Sequence, residues 1–389
     1  MGVNFKMVAI TLQGLEEVLS NELKQLGAQD VKAGVRMVEF VGDEGFMYKA
    51  NLYLRTAIRI LKPIIKFKVR NEDDLYKNLL KIRWEKYMEV TGTFATKGTN
   101  QFNGITSNTH YLALKTKDAI ADYFMSKYDA RPNVDIKHPD LKVNVHIDRY
   151  GFCTVSLDSS GDSLHKRGYR VNTNLAPINE VLAAGLVLLS GYNGDQNFID
   201  PMCGSATILI EATMIACNIP SNINRKEFAF EKWKDYDENL FFAIQDSLIK
   251  KIRDPQRKIM GFDKAPSAVR KANENIASAN LEEFIGIHHI NFFNSKKEVF
   301  GPTTILFNPP YGERLKLDDI EGFYRSIGDT LKHHYSDSSA WFITSDIEAL
   351  KFVGLRTSRR IAIKNSDLDC KFVKYEIYKG SKKASKNDN

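Results

Sequence analysis

The stretch F-I-D-P-M-C-G-S-A-T, from Phe198 to Thr207, decides the fold class of the second half of this 389-residue chain. Its pattern indicates a buried strand that ends at Asp200, a turn of small residues around Gly204, and an apolar helix that follows from Ile208 to Ala216. Small residues at such a turn let a ligand approach the backbone at the carboxyl end of a parallel strand. The turn has neither a P-loop lysine nor a G-x-G-x-x-G pattern. By itself it predicts either a ligand-binding corner of another kind or a purely structural one.

Strands and helices alternate through the rest of this half, which predicts βαβ units and a parallel sheet. Two later strand patterns, separated by a short turn, predict an antiparallel hairpin at the sheet edge. A stretch that exceeds the usual βαβ spacing predicts extra packed helices or, alternatively, a flap that contacts substrate. The predicted parallel strands are 197–200, 258–263, 285–290, 303–307 and 340–344; the hairpin strands are 361–364 and 372–378; the insertion is 220–257.

Polar residues follow the second and third of these strands. Asp263, next to Lys264, ends the second strand and precedes a helical pattern. A carboxylate at this place can accept the hydroxyl protons of a ribose, although an acid in the first turn of a helix is the alternative. Asn291 and Phe292 end the third strand and could hold and cover a purine ring.

The motif L-F-N-P-P-Y-G-E-R, from Leu306 to Arg314, follows the fourth strand. Pro309 and Pro310 fix φ and remove two backbone donors, which leaves their carbonyl groups free to face a ligand. If the Asn308 side-chain oxygen and the Pro309 carbonyl accept the protons of a ring-conjugated amine, its lone pair is better localised for attack on a methyl group. Tyr311 offers a face on which a base can stack. A plain Asn-Pro-Pro turn is the alternative for an isolated match.

Two smaller α+β patterns precede this half. Residues 1–68 predict a ferredoxin-like module and residues 69–164 a second module, and the basic stretch H-K-R-G-Y-R at His165 to Arg170 leads into a third domain, 165–380. Residues 381–389 are polar and predict a disordered tail. The second module contains Lys97, Asn100 and Gln101 in a polar segment that favours either RNA contact or an ordinary surface loop.

Charge adds a weak indication of a polyanionic partner. The net charge is +7, and residues 1–170 carry +6 of it, with 26 Lys and Arg against 20 Asp and Glu. The four cysteines show no paired spacing, so we expect reduced thiols and no metal. The sequence has no long apolar run and no signal-peptide pattern, so we expect a cytoplasmic protein without a membrane partner.

These motifs resemble the class I S-adenosylmethionine-dependent methyltransferases, and more narrowly the THUMP-domain 23S rRNA guanine-N2 methyltransferases of the RlmL type. The resemblance covers nearly the whole chain. Its specific pieces are H-K-R-G-Y-R at 165–170, A-P-I-N-E at 176–180, D-P-M-C-G-S at 200–205, F-A-F-E-K-W at 228–233 and N-P-P-Y-G-E-R at 308–314. It implies an α/β, Rossmann-like, seven-stranded methyltransferase sheet preceded by ferredoxin-like and THUMP modules.

The resemblance also implies site residues. The cofactor, S-adenosylmethionine, would be held by residues of the strand ends and by the A-P-I-N-E segment, and the target base by Asn308, Pro309, Pro310 and Tyr311. Two positions depart from the family, because Ala206 stands for a usual glycine and Asn291 for a usual aspartate. The candidate cofactor residues are Asn179, Glu180, Asp200, Met202, Cys203, Gly204, Ser205, Ala206, Thr207, Asp263, Lys264, Asn291, Phe292 and Asn308.

The family's N-terminal modules bind structured RNA, which implies 23S rRNA or a large-subunit assembly intermediate as partner. A base inside a helix must be flipped out before its amine can react, so a separate domain that grips the surrounding RNA is physically reasonable. The candidate RNA contacts are Lys97, Asn100, Gln101, Lys166, Arg167, Arg170 and Arg314.

Three functions therefore stay open from the sequence. The first is methyl transfer to guanine N2 in large-subunit rRNA. The second is methylation of adenine N6 in DNA or RNA, because that target is also a conjugated exocyclic amine. The third is a non-catalytic RNA-binding assembly factor, suggested by Ala206 and Asn291.

Overall fold

The computed structural model describes residues 2–105, 108–171, 177–310 and 319–379. The elements of the first half, in chain order, are β1 (Phe5–Thr11), α1 (Glu16–Leu26), β2 (Gln29–Gly34), β3 (Met37–Gly42), α2 (Glu44–Tyr53), β4 (Ala57–Lys68), α3 (Glu72–Leu80), β5 (Thr93–Asn100), α4 (Thr109–Tyr128), β6 (Asn133–Val134), β7 (Leu141–Ile147) and β8 (Phe152–Asp158).

The elements of the second half are α5 (Glu180–Leu189), β9 (Asn197–Asp200), α6 (Thr207–Ala216), α7 (Glu238–Ile249), β10 (Ile259–Asp263), α8 (Pro266–Ser278), β11 (Ile285–His289), β12 (Thr303–Phe307), α9 (Ile320–His334), β13 (Ser338–Thr344), β14 (Arg359–Asn365) and β15 (Leu368–Ile377).

The two N-terminal modules share one sheet. Within the described residues its strand order is β2-β3-β1-β4-β8-β7-β5-β6. The strand that closes the first module, β4, pairs antiparallel with the last strand of the second, β8, from Leu61 opposite Asp158 to Lys68 opposite Phe152. The boundary expected between residues 68 and 69 therefore falls at the end of a pairing that joins the two modules, with a register shift between Pro63 and Ile65.

The second half forms the predicted α/β sheet. Its order is β11-β10-β9-β12-β13-β15-β14, in which β9 to β13 run parallel and β15 runs antiparallel to both of its neighbours. The chain order of the parallel strands reverses beside β9, and at such a switch point α/β sheets open a crevice for ligands. The predicted fold class, including the edge hairpin, is confirmed.

Helices α5 and α6 have sequences that are apolar on almost every face, E-V-L-A-A-G-L-V-L-L and T-I-L-I-E-A-T-M-I-A. A helix that is hydrophobic all round is stable only when it is buried. The two helices accordingly pack against each other and form much of one core of the second half. Their burial fixes the position of the turn that joins β9 to α6.

The insertion at 220–257 contains the predicted extra helical structure, but that structure packs away from the methyltransferase sheet. Its apolar residues belong to the same core as the N-terminal sheet, with the Phe230 ring 4.5 Å from the Tyr48 ring. The residues that it contributes are Phe228, Phe230, Trp233, Phe241 and Leu248. Hydrophobic burial therefore anchors the second half of the chain onto the first.

A buried polar joint accompanies this contact. The Arg167 guanidinium is 1% exposed and lies 3.3 Å from the Glu211 carboxylate on α6, which also accepts a hydrogen bond of 3.0 Å from the Tyr169 hydroxyl. Arg167 further donates to the backbone carbonyls of Leu164 and Arg55. Residues of the linker, the first module and the second half thus meet in one buried network.

Across the described residues, every helix is too short or too polar to span a lipid bilayer.

Candidate active site

A cavity of about 460 Å³ lies at the carboxyl ends of β9, β10 and β12. Its volume lies within the range typical of small-molecule sites, and its place beside β9 is the switch point of the sheet. Most of the predicted cofactor residues line it together. They are Asp200, Met202, Cys203, Gly204, Ser205, Thr207, Asp263, Lys264, Asn291, Phe292 and Asn308.

The turn after β9 forms the floor of this cavity. Asp200 is 1% exposed, and its carboxylate accepts a hydrogen bond of 3.1 Å from the backbone N–H of Met202. Burial, with the nearby Asp263 carboxylate, raises the pKa of Asp200 well above its usual value. A group with a strongly shifted pKa in a cleft is typical of a functional site.

Asp263 connects two strand ends across the cavity. One carboxylate oxygen accepts the backbone N–H of Gly204 at 3.0 Å, and the other accepts that of Ala265 at 2.9 Å. Because an ionised carboxylate can accept about four hydrogen bonds, the group keeps acceptor capacity for a ligand hydroxyl. Asp263 therefore holds the glycine turn in place while its remaining lone pairs are available.

Ala206 does not line the cavity, and its methyl group is buried in the core. Its backbone has φ of 65° at the N-cap of α6, in the left-handed region that disfavours any residue with a Cβ. The methyl group therefore points into the core and away from the cavity. The departure from glycine costs backbone strain instead.

The segment after β11 supplies an aromatic wall. The Asn291 side-chain oxygen accepts the backbone N–H of Phe293 at 3.1 Å, and Phe292 packs with its ring centroid 5.5 Å from that of Phe307. Phe293 meets Phe323 edge to face at 5.6 Å, and both line the cavity. These two rings were not predicted. Phe323 lies on α9, far from any motif. Other unpredicted lining residues are Pro177, Ile178, Pro201, Ile208, Ala265, Ser267 and Ala268.

Asn308, at the end of β12, contributes a polar atom without a partner. Its side-chain oxygen is buried and accepts no hydrogen bond from any residue that the structure describes. An unsatisfied buried acceptor costs roughly 1–3 kcal/mol, so this oxygen favours a hydrogen-bond donor from outside the described residues. Pro309 and Pro310 line the cavity beside it, whereas Tyr311 lies outside the described residues.

Asn179 and Glu180 do not line the cavity. Asn179 caps α5, accepting the backbone N–H of Val181 at 3.0 Å. Glu180 is buried and pairs with Arg170 at 2.8 Å. Burial raises the pKa of the Glu180 carboxyl, and the Arg170 guanidinium opposes that shift. Through its ion pair, Glu180 orients Arg170, which donates to the carbonyl of Ile178, a residue that does line the cavity.

Comparison with known proteins identifies the family. Residues 167–374 match the family "RMKL-like, methyltransferase domain", residues 69–158 match the THUMP domain, and residues 6–61 match the RlmL ferredoxin-like domain. The chain is 34% identical over 372 residues to a Synechocystis protein named "Putative RNA methyltransferase slr0064", which covers 95% of this chain and 96% of that one.

The chain belongs to the RMKL-like methyltransferase family. This membership makes it an S-adenosylmethionine-dependent enzyme. The solved structure of SMU.472, complexed with S-adenosylhomocysteine, has a TM-score of 0.87 and 29% identity, over 98% of this chain and 100% of that one.

The ribosomal RNA large subunit methyltransferase K/L of Photobacterium profundum is 35% identical over 390 residues, which is 98% of this chain and 54% of that protein. This RMKL-like methyltransferase therefore spans about half the length of its K/L relatives.

The predicted RNA contacts of this RMKL-like methyltransferase differ in their exposure to solvent. Lys97, Gln101 and Lys166 are exposed, and Arg314 lies outside the described residues. Lys97 and Asn100 lie in β5 and not in a surface loop, and the Asn100 amide group donates to the carbonyls of Phe102 and Ile105, so it orders the turn that follows the strand.

Arg167 and Arg170 require a correction. Because the Arg167 guanidinium is buried against Glu211, the prediction that it contacts RNA is wrong. Arg170 donates to the Ile178 carbonyl at 3.0 Å and to the Thr207 hydroxyl at 3.1 Å, which places it behind the cavity wall. Sequence position alone did not separate these two from exposed Lys166.

Within the described residues, no three His, Cys, Asp or Glu side chains come together in a way that could hold a metal ion.

Proposed function

We propose that this RMKL-like methyltransferase transfers a methyl group to the exocyclic N2 amino group of a guanine in large-subunit ribosomal RNA. The observation that carries this proposal is the buried side-chain oxygen of Asn308 at the rim of the cavity, which has no hydrogen-bond partner among the described residues. A conjugated amine supplies the hydrogen-bond donor that this oxygen lacks. The K/L relatives are named as methyltransferases of ribosomal RNA.

The residues of the cavity suit S-adenosylmethionine. Its two hydroxyl groups match the remaining acceptor capacity of Asp263, and its purine ring matches the polar and aromatic pair Asn291 and Phe292. The turn around Gly204 lets the methionine part approach the backbone closely. When bound, this cofactor supplies an electrophilic methyl group.

The chain's own part in the reaction is to bind and orient the amine. An aromatic amine is a poor nucleophile because its lone pair is delocalised into the ring. The Asn308 side-chain oxygen accepts a hydrogen bond from one amine N–H, and the Pro309 carbonyl accepts one from the other. The two prolines have no backbone N–H, so their backbone offers only acceptors to the amine. These contacts localise the lone pair on nitrogen, and proximity supplies the rest of the rate enhancement.

The aromatic wall gives the target base a surface. Phe293 and Phe323 stand at the side of the cavity, and base–aromatic stacking is worth about 1–3 kcal/mol per base. That free energy offsets part of the cost of flipping the nucleotide out of its helix. The guanine N2 position itself rests on the resemblance of the N-P-P-Y-G-E-R motif to RlmL-type enzymes.

The test is nucleoside mass spectrometry after incubation with isotopically labelled S-adenosylmethionine and unmodified 23S rRNA. Labelled N2-methylguanosine is the expected product. Labelled N6-methyladenosine would contradict the guanine assignment, and label found in duplex DNA but not in rRNA would contradict the RNA substrate.

A further inference from the structure

A second cavity, of about 340 Å³, lies between the THUMP region, the linker and the insertion. We name it the basic pocket. Its lining comes from three segments, 137–142, 160–168 and 224–232. It holds six Lys or Arg side chains against two carboxylates: Lys137, Lys142, Lys166, Arg225, Lys226 and Lys232 against Asp162 and Glu227.

Lys142 is the most enclosed of the lysines. It projects from β7 and is half-buried, and its ammonium group donates to the Gly161 carbonyl at 3.2 Å. Burial and the nearby positive charges of Arg59, Lys97 and Lys166 lower the pKa of Lys142 to about 8, although Asp162 opposes them. Cations held this close to one another favour an anion that would relieve their repulsion.

Arg225 fixes the wall that the insertion contributes. Its guanidinium donates to the backbone carbonyls of Ser160, Asp162, Ser163 and Lys166 at 3.0–3.2 Å and lies 5.2 Å from the Phe228 ring centroid. Because these bonds engage both terminal nitrogens of the guanidinium, they hold the Arg225 side chain in one position. It holds the insertion against the linker, so that the lysines of both face one space.

The carboxylates neutralise only part of this charge. Asp162 pairs with Lys166 at 3.1 Å, and Glu227 lies 3.9 Å from Lys232, each pair on the surface. Within the described ranges, the Lys137, Lys142 and Lys226 side chains have no ion pair. Three cations from two facing walls therefore face the pocket without a paired carboxylate.

The basic pocket is joined to the active-site cavity by a short piece of chain. Gly168 lines the basic pocket, and Arg170, two residues later, donates to the Ile178 carbonyl at the wall of the other cavity. Two residues of chain span at most about 7 Å. The linker therefore runs from the basic pocket to the residue that holds the wall of the active-site cavity.

We infer that the basic pocket binds backbone phosphates of the RNA strand that carries the target nucleotide. This inference rests on the proposed function for its substrate class. Its cations come from three separate segments, which suits a chain of phosphates better than a single small anion. Phosphate contacts of this kind set position and leave sequence unread.

The decisive variant is Lys137→Gln with Lys226→Gln, which removes one unpaired charge from each wall. Both side chains are exposed, so folding should be preserved, and thermal melting checks this. The matched control is Lys24→Gln with Lys250→Gln, two exposed lysines that do not line the pocket. Binding to a fluorescent 23S rRNA fragment is measured by anisotropy at several salt concentrations.

We expect the pocket variant to bind RNA about tenfold more weakly and to lower the slope of log affinity against log salt by about 1.5, with the control near wild type. Equal affinities and slopes in both variants would overturn the inference. Inorganic pyrophosphate serves as the second probe. If pyrophosphate competes with RNA for the wild-type protein, the pocket is supported as a phosphate site. If the pocket variant no longer binds pyrophosphate but binds RNA as tightly as the wild type, the pocket belongs to a free phosphate compound instead.

The product analysis keeps the two proposals separable. If the pocket variant loses RNA affinity while the wild-type protein makes N6-methyladenosine in RNA, the pocket inference stands and the guanine assignment fails. If N2-methylguanosine forms and the variant binds like the wild type, only the pocket inference fails.

Discussion

The active-site cavity and the basic pocket differ in the chemical groups that line them. The active-site cavity presents acceptors, the carboxylates of Asp200 and Asp263 and the amide oxygen of Asn308, with Lys264 as its one basic lining residue among those described. The basic pocket presents six cationic side chains. Acceptors select and orient hydroxyl and amine protons, whereas cations hold phosphates with little regard to sequence. Under the two proposals, the basic pocket binds the backbone of the substrate and the active-site cavity carries out methyl transfer.

The buried joint between the cavities gives the largest predicted effect. Arg167→Met leaves the Glu211 carboxylate buried without its cation, which should lower the free energy of unfolding by about 3–5 kcal/mol. Chemical denaturation measures it, with the exposed neighbour Lys166→Met as a control that should change it by less than about 0.5 kcal/mol.

The double variant Arg167→Met with Glu211→Met sharpens this result, because replacing both ions by apolar side chains removes the uncompensated charge. We expect it to recover most of the lost stability. A loss in Arg167→Met no greater than in the control would show that the cavities are held together by packing alone.

Loss of the acceptor at Asn308 comes next. Asn308→Ala should lower kcat about 10²- to 10³-fold, as removal of one oriented group at a reacting centre does in other enzymes. Affinity for S-adenosylmethionine, measured by calorimetry, should change much less. Asn193→Ala, at an exposed turn before β9, should keep full activity. A variant with weakened cofactor affinity and unchanged kcat would move Asn308 out of the amine-binding role.

Asp263→Ala should act on binding rather than on turnover. It removes a ribose acceptor and the hydrogen bond to the Gly204 N–H, so the Kd for S-adenosylmethionine should rise roughly tenfold to a hundredfold. Calorimetry measures the constant. Glu282→Ala, exposed just before β11, is the control. An unchanged Kd would remove Asp263 from the cofactor site.

The smallest predicted effect is a pH dependence confined to the basic pocket. Lys142 has a pKa lowered to about 8, so it is positively charged below that pH and neutral above it. RNA affinity should therefore fall about threefold more between pH 7 and pH 9.5 in the wild-type protein than in Lys142→Met. Anisotropy at constant ionic strength tests this, and parallel pH profiles would contradict it.

Much of this arrangement could be predicted from local pattern. Local sequence marks both ends of helix α4, because Asn108 caps its start and Asp129, in a left-handed conformation, ends it. Strand β2 has no such local signal, because its residues lie on an exposed edge and lack alternating burial. The lining residues from the strand ends were found because parallel strands bring their carboxyl ends to one rim.

Tertiary relations could not be predicted in the same way. Lys166 and Arg167 are adjacent and both basic, yet one is exposed and the other buried, and only the position of Glu211 decides which. The aromatic residues of the insertion predict burial without naming the surface that they cover. Phe323 reaches the cavity through the packing of α9, which no motif marks.

The packing of the insertion has a practical consequence for cutting this protein into parts. A fragment starting at residue 165 would carry Phe228, Phe230, Trp233, Phe241 and Leu248 without the N-terminal core that covers them. Such a fragment would expose a contiguous apolar patch and tend to aggregate, although its own sheet is intact. A cut between residues 164 and 165 therefore divides one hydrophobic core. To obtain two soluble fragments, the insertion would have to be transferred to the N-terminal fragment.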